Sequence, residues 1–161
     1  MRVAFDLDNT LIRSDVDFPL AVARRGWLQR LLGTEPLRLG VLELADFCRQ
    51  RGWEVWVYTT SYRSRFAIWR LLWVYGLRAD GIVNQTAHDR HVRVRCSKHP
   101  PTFGIDVVID DSVGVELEGQ RHGFHVIRVA PNHTGWVGYV QARLLQLATS
   151  GLPNHANSPT Q

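Results

Sequence analysis

Residues 1–12 read MRVAFDLDNTLI. An apolar run, Val3, Ala4 and Phe5, delivers two carboxylates, Asp6 and Asp8, followed by Asn9, Thr10 and a second apolar pair. Side chains alternate along an extended segment, so residues two apart point the same way. Asp6 and Asp8 are therefore expected to face one site just past a strand end. Two carboxylates that close are not both ionised without help, which implies a bound cation or a shared proton.

Three further stretches continue the theme. Residues 53–61, WEVWVYTTS, form a β-rich apolar run that ends in three hydroxyls. Residues 96–101, CSKHPP, carry Lys98, and residues 106–112, DVVIDDS, again empty a strand into paired acids, Asp110 and Asp111. Taken singly, each has a plain structural reading. Asp110 and Asp111 fit a helix cap or turn, Thr59 to Ser61 fit the cap of a following helix, and Lys98 fits a solvated surface position. All of them in one chain place chemistry repeatedly at the carboxyl ends of successive strands, the edge where open parallel sheets bind ligands.

In this order the four stretches resemble the motifs of the haloacid dehalogenase (HAD) superfamily, whose first motif is hhhhDxDx followed by Thr or Val. The resemblance runs from Met1 to about Val129. It implies a Rossmann-like sheet with the Asp6 strand at its centre. It also implies phosphoryl transfer through Asp6 as nucleophile, with Asp8 as general acid and then general base. Thr59, with Thr60 as the alternative by register, would hydrogen-bond the phosphoryl group beside Lys98. Magnesium would be held by Asp6, the main-chain carbonyl of Asp8 and Asp111, with Asp110 either a further ligand or a support just behind them. Thr10 would support Asp6 and shape the turn after the strand. An acid at position 8 argues for phosphatase rather than dehalogenase chemistry. Residues 57–62 and the acids before Ser112 are similar to capless phosphatases that act on the C-terminal domain of RNA polymerase. Those commonly have Asp-Asn where this chain has Asp110-Asp111.

Apolar and amphipathic spacing predicts strands at about 2–6, 53–58, 81–84, 106–110 and 125–129. Leu37, Val41, Leu44, Ala45 and Cys48 repeat at helical spacing, with Pro36 suited to the first turn and Gly52 to the exit. Further helices are expected at 64–75, 113–121 and 134–148, the last capped by Thr134. Alternating strands and helices predict an α/β fold, a three-layer sandwich around a mostly parallel five-stranded sheet. The chain reads as one hydrolase domain over residues 1–150. Residues 13–35 would form a short flap with a helix near 21–32, and residues 151–161 a disordered tail rich in Pro, Asn and Ser. No large cap domain fits between the motifs. An open site suits a bulky substrate such as a phosphoprotein or a nucleic-acid end.

The formal charge of +4 favours anionic substrates. Arg63 and Arg65 follow the hydroxyl run of residues 59–61 and fit either a phosphate clamp or a solvated helical turn. The run His88 to Arg95 alternates like a charged edge strand, with anion tracking as its functional reading. Phe66, Trp69 and Trp73 form a second apolar face on the 64–75 helix. That face is either buried on both sides or an exposed patch for self-association, which would make a homodimer. Two cysteines are too few for a disulfide scaffold, and Cys48 is expected to be a buried thiol. A strand starting at once leaves no room for a signal peptide, and no segment has membrane-span length, so a reducing cytoplasm is expected. The leading function is a magnesium-dependent phosphomonoester hydrolase. The alternatives are a phosphotransferase or mutase, and a phosphate-binding module without catalysis.

Overall fold

The computed structural model describes residues 1–24 and 26–151. Its elements are β1 (Arg2–Phe5), α1 (Gly26–Leu32), α2 (Val41–Gln50), β2 (Glu54–Tyr58), α3 (Arg65–Val74) and β3 (Gly81–Val83), followed by α4 (Gln85–His91). After a short 3-10 turn at Pro100–Phe103 come β4 (Val107–Asp110), α5 (Val113–His122), β5 (His125–Arg128) and α6 (Trp136–Thr149). All four strand pairings are parallel and the order is β3-β2-β1-β4-β5. The strand that carries Asp6 is thus the central one. The chain winds outward from β1 through β2 to β3, then reverses to β4. That reversal opens a crevice between the carboxyl ends of β1 and β4, the usual ligand position in such a sheet.

The strands are nearly continuous apolar runs because both faces are covered. Val3 and Phe5 of β1, Val55 and Val57 of β2, and Val107 and Ile109 of β4 join α2, α3 and α6 in the larger core. The alternate residues Ala4, Tyr58 and Val108 form a smaller core with Val83, Ile105, Ala87 of α4 and Phe103. Helix α5 lies on this second side, where a side chain at Gly119 would meet Val126 and the Phe124 backbone. The layering is the α/β sandwich expected from the sequence. No helix among the described residues is long and apolar enough to cross a membrane.

Helix caps follow side-chain chemistry where a cap residue is available. Ser64 accepts from the Ala67 N–H at 3.1 Å, and Asn84 from the Ala87 N–H at 3.0 Å. Ser112 accepts from Gly114 and Val115 N–H at 3.1 and 3.4 Å, starting α5 directly after the acid pair. Ser112→Ala is expected to cost about 1 kcal/mol. Thermal unfolding would report a fall of roughly 3 °C for a chain of this size. An unchanged midpoint would mean that α5 is held by packing alone.

Four local expectations are corrected. Pro36 does not begin α2, which starts at Val41 after Gly40 in the left-handed region (φ 91°). Residues 37–38 are instead extended, bridging Ile12 and Leu20, because Leu37 and Arg38 are wholly buried against the segment after β1. Thr134 does not cap α6; Gly135 holds that position without a side-chain cap, and the helix is anchored by the Trp136 indole donating to the Leu39 carbonyl at 3.0 Å. The basic run is not an edge strand, since the Asn84 cap launches helix α4 through His91. The helix after position 13 covers only Gly26–Leu32. The expected disordered tail falls on residues 152–161, outside the described residues.

Candidate active site

At the carboxyl end of β1, the chain extends sheet pairing by one bond, Asp6 N–H to the Ile109 carbonyl at 2.8 Å, before turning. The turn needs Asn9 in the left-handed region (φ 59°), a conformation that asparagine tolerates better than most residues. Its Oδ1 accepts from the Ser14 and Asp15 N–H groups at 3.2 and 2.9 Å. Asp6 is left almost wholly buried, and Asp110, at the end of the neighbouring β4, is buried as well.

Lys98 fills the space between them. Its ammonium lies 2.5 Å from Asp6 Oδ1 and 2.5 Å from Asp110 Oδ2, with 1 % of the residue exposed. Lys98 is also the only lysine in a chain of 19 basic residues. A compact ammonium can sit between two carboxylates where a planar guanidinium fork would not fit. The loop bearing it is braced from two sides. Glu118 of α5 accepts from the Ser97 N–H at 2.8 Å and the Lys98 N–H at 3.3 Å. The Tyr58 hydroxyl accepts from the His99 N–H at 2.9 Å and shares a hydrogen bond of 2.6 Å with His88 Nδ1.

Burial pushes Asp6 up to about 7, with Asp110 adding to the rise and Lys98 opposing it. Burial works to lower the Lys98 ammonium, but Asp6 and Asp110 outweigh it and hold it above its usual value. Asp111 is also raised, by burial first and by Asp110 second. Three carboxylates thus converge on one ammonium and leave negative charge uncompensated.

One oxygen from each of Asp6, Asp110 and Asp111 lies within 4.8 Å of the others. Hard oxygen donors with excess negative charge are what magnesium prefers, and these three residues fit it. The Thr10 hydroxyl reaches Asp111 Oδ1 at 3.4 Å and so orients that third acid. The Asp8 carboxylate stands outside the trio. Arg63 holds both its oxygens at 3.0 and 3.1 Å through Nη1, while Nη2 reaches Glu35 at 3.1 Å. Arg63 therefore joins the Asp8 turn to the segment before α2.

The hydroxyl run divides by burial. Thr59 is buried at the end of β2, its Oγ1 accepting from the Ser61 N–H at 3.0 Å, whereas Thr60 is exposed. Sequence reasoning marked Arg63 but missed Glu35, Tyr58 and Glu118 as supports. Glu35 and Glu118 carry no local signal, since each acts on a residue at least 20 positions away.

Superposition on known structures finds this architecture elsewhere. A protein from Porphyromonas gingivalis, described as a predicted HAD-like family hydrolase, matches with a TM-score of 0.50 over 90 % of this chain and 97 % of its own, at 13 % identity. The chain has the HAD-like fold. A second structural match is the CbbY protein of Rhodobacter sphaeroides, crystallised as an Asp-to-Asn variant with xylulose-(1,5)bisphosphate. It has a TM-score of 0.51 over 80 % of this chain and 85 % of its own, at 13 % identity. Neither a protein-family model nor a curated protein sequence matches the chain. Between β1 and α2, where a HAD-fold protein can carry a cap, α1 is the only helix among the described residues.

Proposed function

We propose that this protein is a magnesium-dependent phosphomonoester hydrolase that works through an aspartyl-phosphate on Asp6. The observation that carries this reading is the buried cluster of Asp6, Lys98, Asp110 and Asp111 at the switch point of the sheet. Capture of a sugar bisphosphate by a protein of the same fold supports it.

As the first acid of the opening motif, at the end of the central strand, Asp6 is the nucleophile, through the oxygen that does not touch Lys98. It attacks phosphorus in line, the bond from phosphorus to the ester oxygen breaks, and Asp8 gives that oxygen its proton. Asp8 then takes a proton from water, whose oxygen attacks the same phosphorus. The bond to Asp6 breaks and inorganic phosphate leaves. Lys98 offsets charge on the phosphoryl oxygens, and the Thr59 hydroxyl at the end of β2 donates to one of them. Arg63 fixes the direction of Asp8, and an incoming phosphate dianion competes for the same guanidinium. Magnesium, held by Asp6, Asp110, Asp111 and the Asp8 carbonyl, supplies further charge neutralisation when bound.

A single small helix among the described residues between β1 and α2 favours a bulky phosphorylated substrate over a small metabolite. Cys48 and Cys96 are both free, which favours a reducing cytoplasm; burial pushes the Cys48 thiol up to about 12, where it is inert.

Hydrolysis of p-nitrophenyl phosphate is the first test. Turnover is expected to appear on adding magnesium and to vanish with a chelator. Asp8→Asn should lower kcat by about 10²- to 10⁴-fold, the usual worth of general acid-base catalysis. Turnover that ignores magnesium, or that survives Asp8→Asn unchanged, would contradict the proposed mechanism.

A further inference from the structure

Helix α3 buries Ile68, Leu71 and Leu72 in the core and turns Phe66, Trp69 and Trp73 outward. Phe66 and Trp69 are 66 % and 44 % exposed, and Trp73 is 38 % exposed. The rings form a ladder. Phe66 and Trp69 have centroids 5.9 Å apart at 23°, and Trp69 and Trp73 are 6.0 Å apart at 21°. At 100° per residue, Arg65 and Arg70 flank this ladder, one on each side, about 70° from its centre line. Helix α3 contains no acidic residue, and neither arginine makes an ion pair among the described residues. The ladder starts three residues beyond Arg63, the side chain that grips Asp8, and runs about 10 Å from the catalytic edge along the helix.

We infer that this face is a track for a single-stranded nucleic acid whose terminal phosphomonoester is directed at Asp6. Successive exposed rings offer stacking platforms to bases of any identity, and cations on both flanks meet the backbone phosphates. A second copy of this chain is disfavoured, because an antiparallel two-fold contact centred on the ladder would bring Arg70 against its own image. A polyanion satisfies both arginines instead. The direction of the strand rests on the phosphatase reading; the track itself does not.

The test uses the full chain and follows tryptophan fluorescence during titration with a 5′-phosphorylated thymidine octanucleotide and, separately, with thymidine monophosphate. The octanucleotide is expected to bind about tenfold more tightly, with a logarithmic salt slope near about −1.4 for two phosphate contacts. Trp69→Ala should lose at least about fivefold of that affinity, and Trp69→Phe should keep most of it, since stacking survives. Equal affinity for the mononucleotide, or octanucleotide binding that ignores Trp69→Ala, overturns the inference. A micromolar dimer that Trp69→Ala dissociates also overturns it and gives the face to a second copy. Hydrolysis of p-nitrophenyl phosphate is measured alongside. A protein that hydrolyses it and fails the binding test loses the track but keeps the phosphatase; one that binds through Trp69 without hydrolysis keeps the track alone.

Discussion

Lys98→Met is expected to destabilise the protein more than any other single change at the site. The ammonium is buried and touches Asp6 and Asp110 at 2.5 Å each. Its loss strands two carboxylates in a low-dielectric interior, and breaking a buried pair from one side costs about 3–5 kcal/mol. Total stability of a domain is only about 5–15 kcal/mol, so the variant should approach the edge of folding. In thermal unfolding without divalent ions, the midpoint should fall by roughly 10 °C. Adding Asp110→Asn to Lys98→Met should recover much of the loss, because one of the stranded charges is then gone. Recovery by the double variant separates an electrostatic cause from the loss of packing around the lysine stem. A single variant as stable as the wild type would show that the cluster is solvated.

Asp6→Asn should have opposite effects on activity and stability. Under the proposed mechanism this variant has no nucleophile, and hydrolysis of p-nitrophenyl phosphate should fall by at least about 10³-fold. Removing a buried charge whose proton affinity is raised should instead stabilise the metal-free fold, by on the order of 1 kcal/mol. The pH dependence follows from the same shift. Asp6 rises from an ordinary 3.8 to about 7, so between these values the folded chain binds more protons than the unfolded one. Stability therefore falls as pH rises from about 4 to about 7 and levels off above that. Chelated wild-type protein should show this slope, and Asp6→Asn should lack it. Magnesium should flatten the wild-type slope by favouring the ionised carboxylate. A wild-type slope equal to that of Asp6→Asn would place the titration elsewhere, and full activity in the variant would remove Asp6 as nucleophile.

The two predictions concern one arrangement in which stability and chemistry conflict. Asp6, Asp110 and Asp111 stand close enough to repel, and Lys98 cancels only part of that repulsion. The residual negative charge is what a divalent ion and a phosphoryl group would meet together. Arg63 adds a further control, since it holds Asp8 to Glu35 and thereby connects the proposed acid-base group to the segment before α2.

Much of this was legible before any coordinate. The alternation of apolar strands and amphipathic helices is local, and it set the α/β layering and the strand positions to within a residue or two. The acids after β1 and β4 and the hydroxyls after β2 are also local signals, because a polar group directly after a buried strand lies at the sheet edge whatever the rest of the chain does. Element starts were less legible where tertiary contacts override caps. Leu37 and Arg38 gave up helix for extended bridges, and α6 begins where Trp136 reaches Leu39 rather than at Thr134. For the outer face of α3, periodicity favoured burial on both sides over exposure; packing reversed that and turned the rings outward.

The sequence by itself determined which chemical groups stand at the strand ends and in what order, since that depends on periodicity alone. Only the tertiary structure decided which of them meet. Lys98 reaches Asp6 across 92 residues, Arg63 reaches Asp8 across 55, and Thr10 reaches Asp111 across 101. Such pairings are selected by the free energy of burying the whole core around them, a collective quantity that no short stretch of sequence contains.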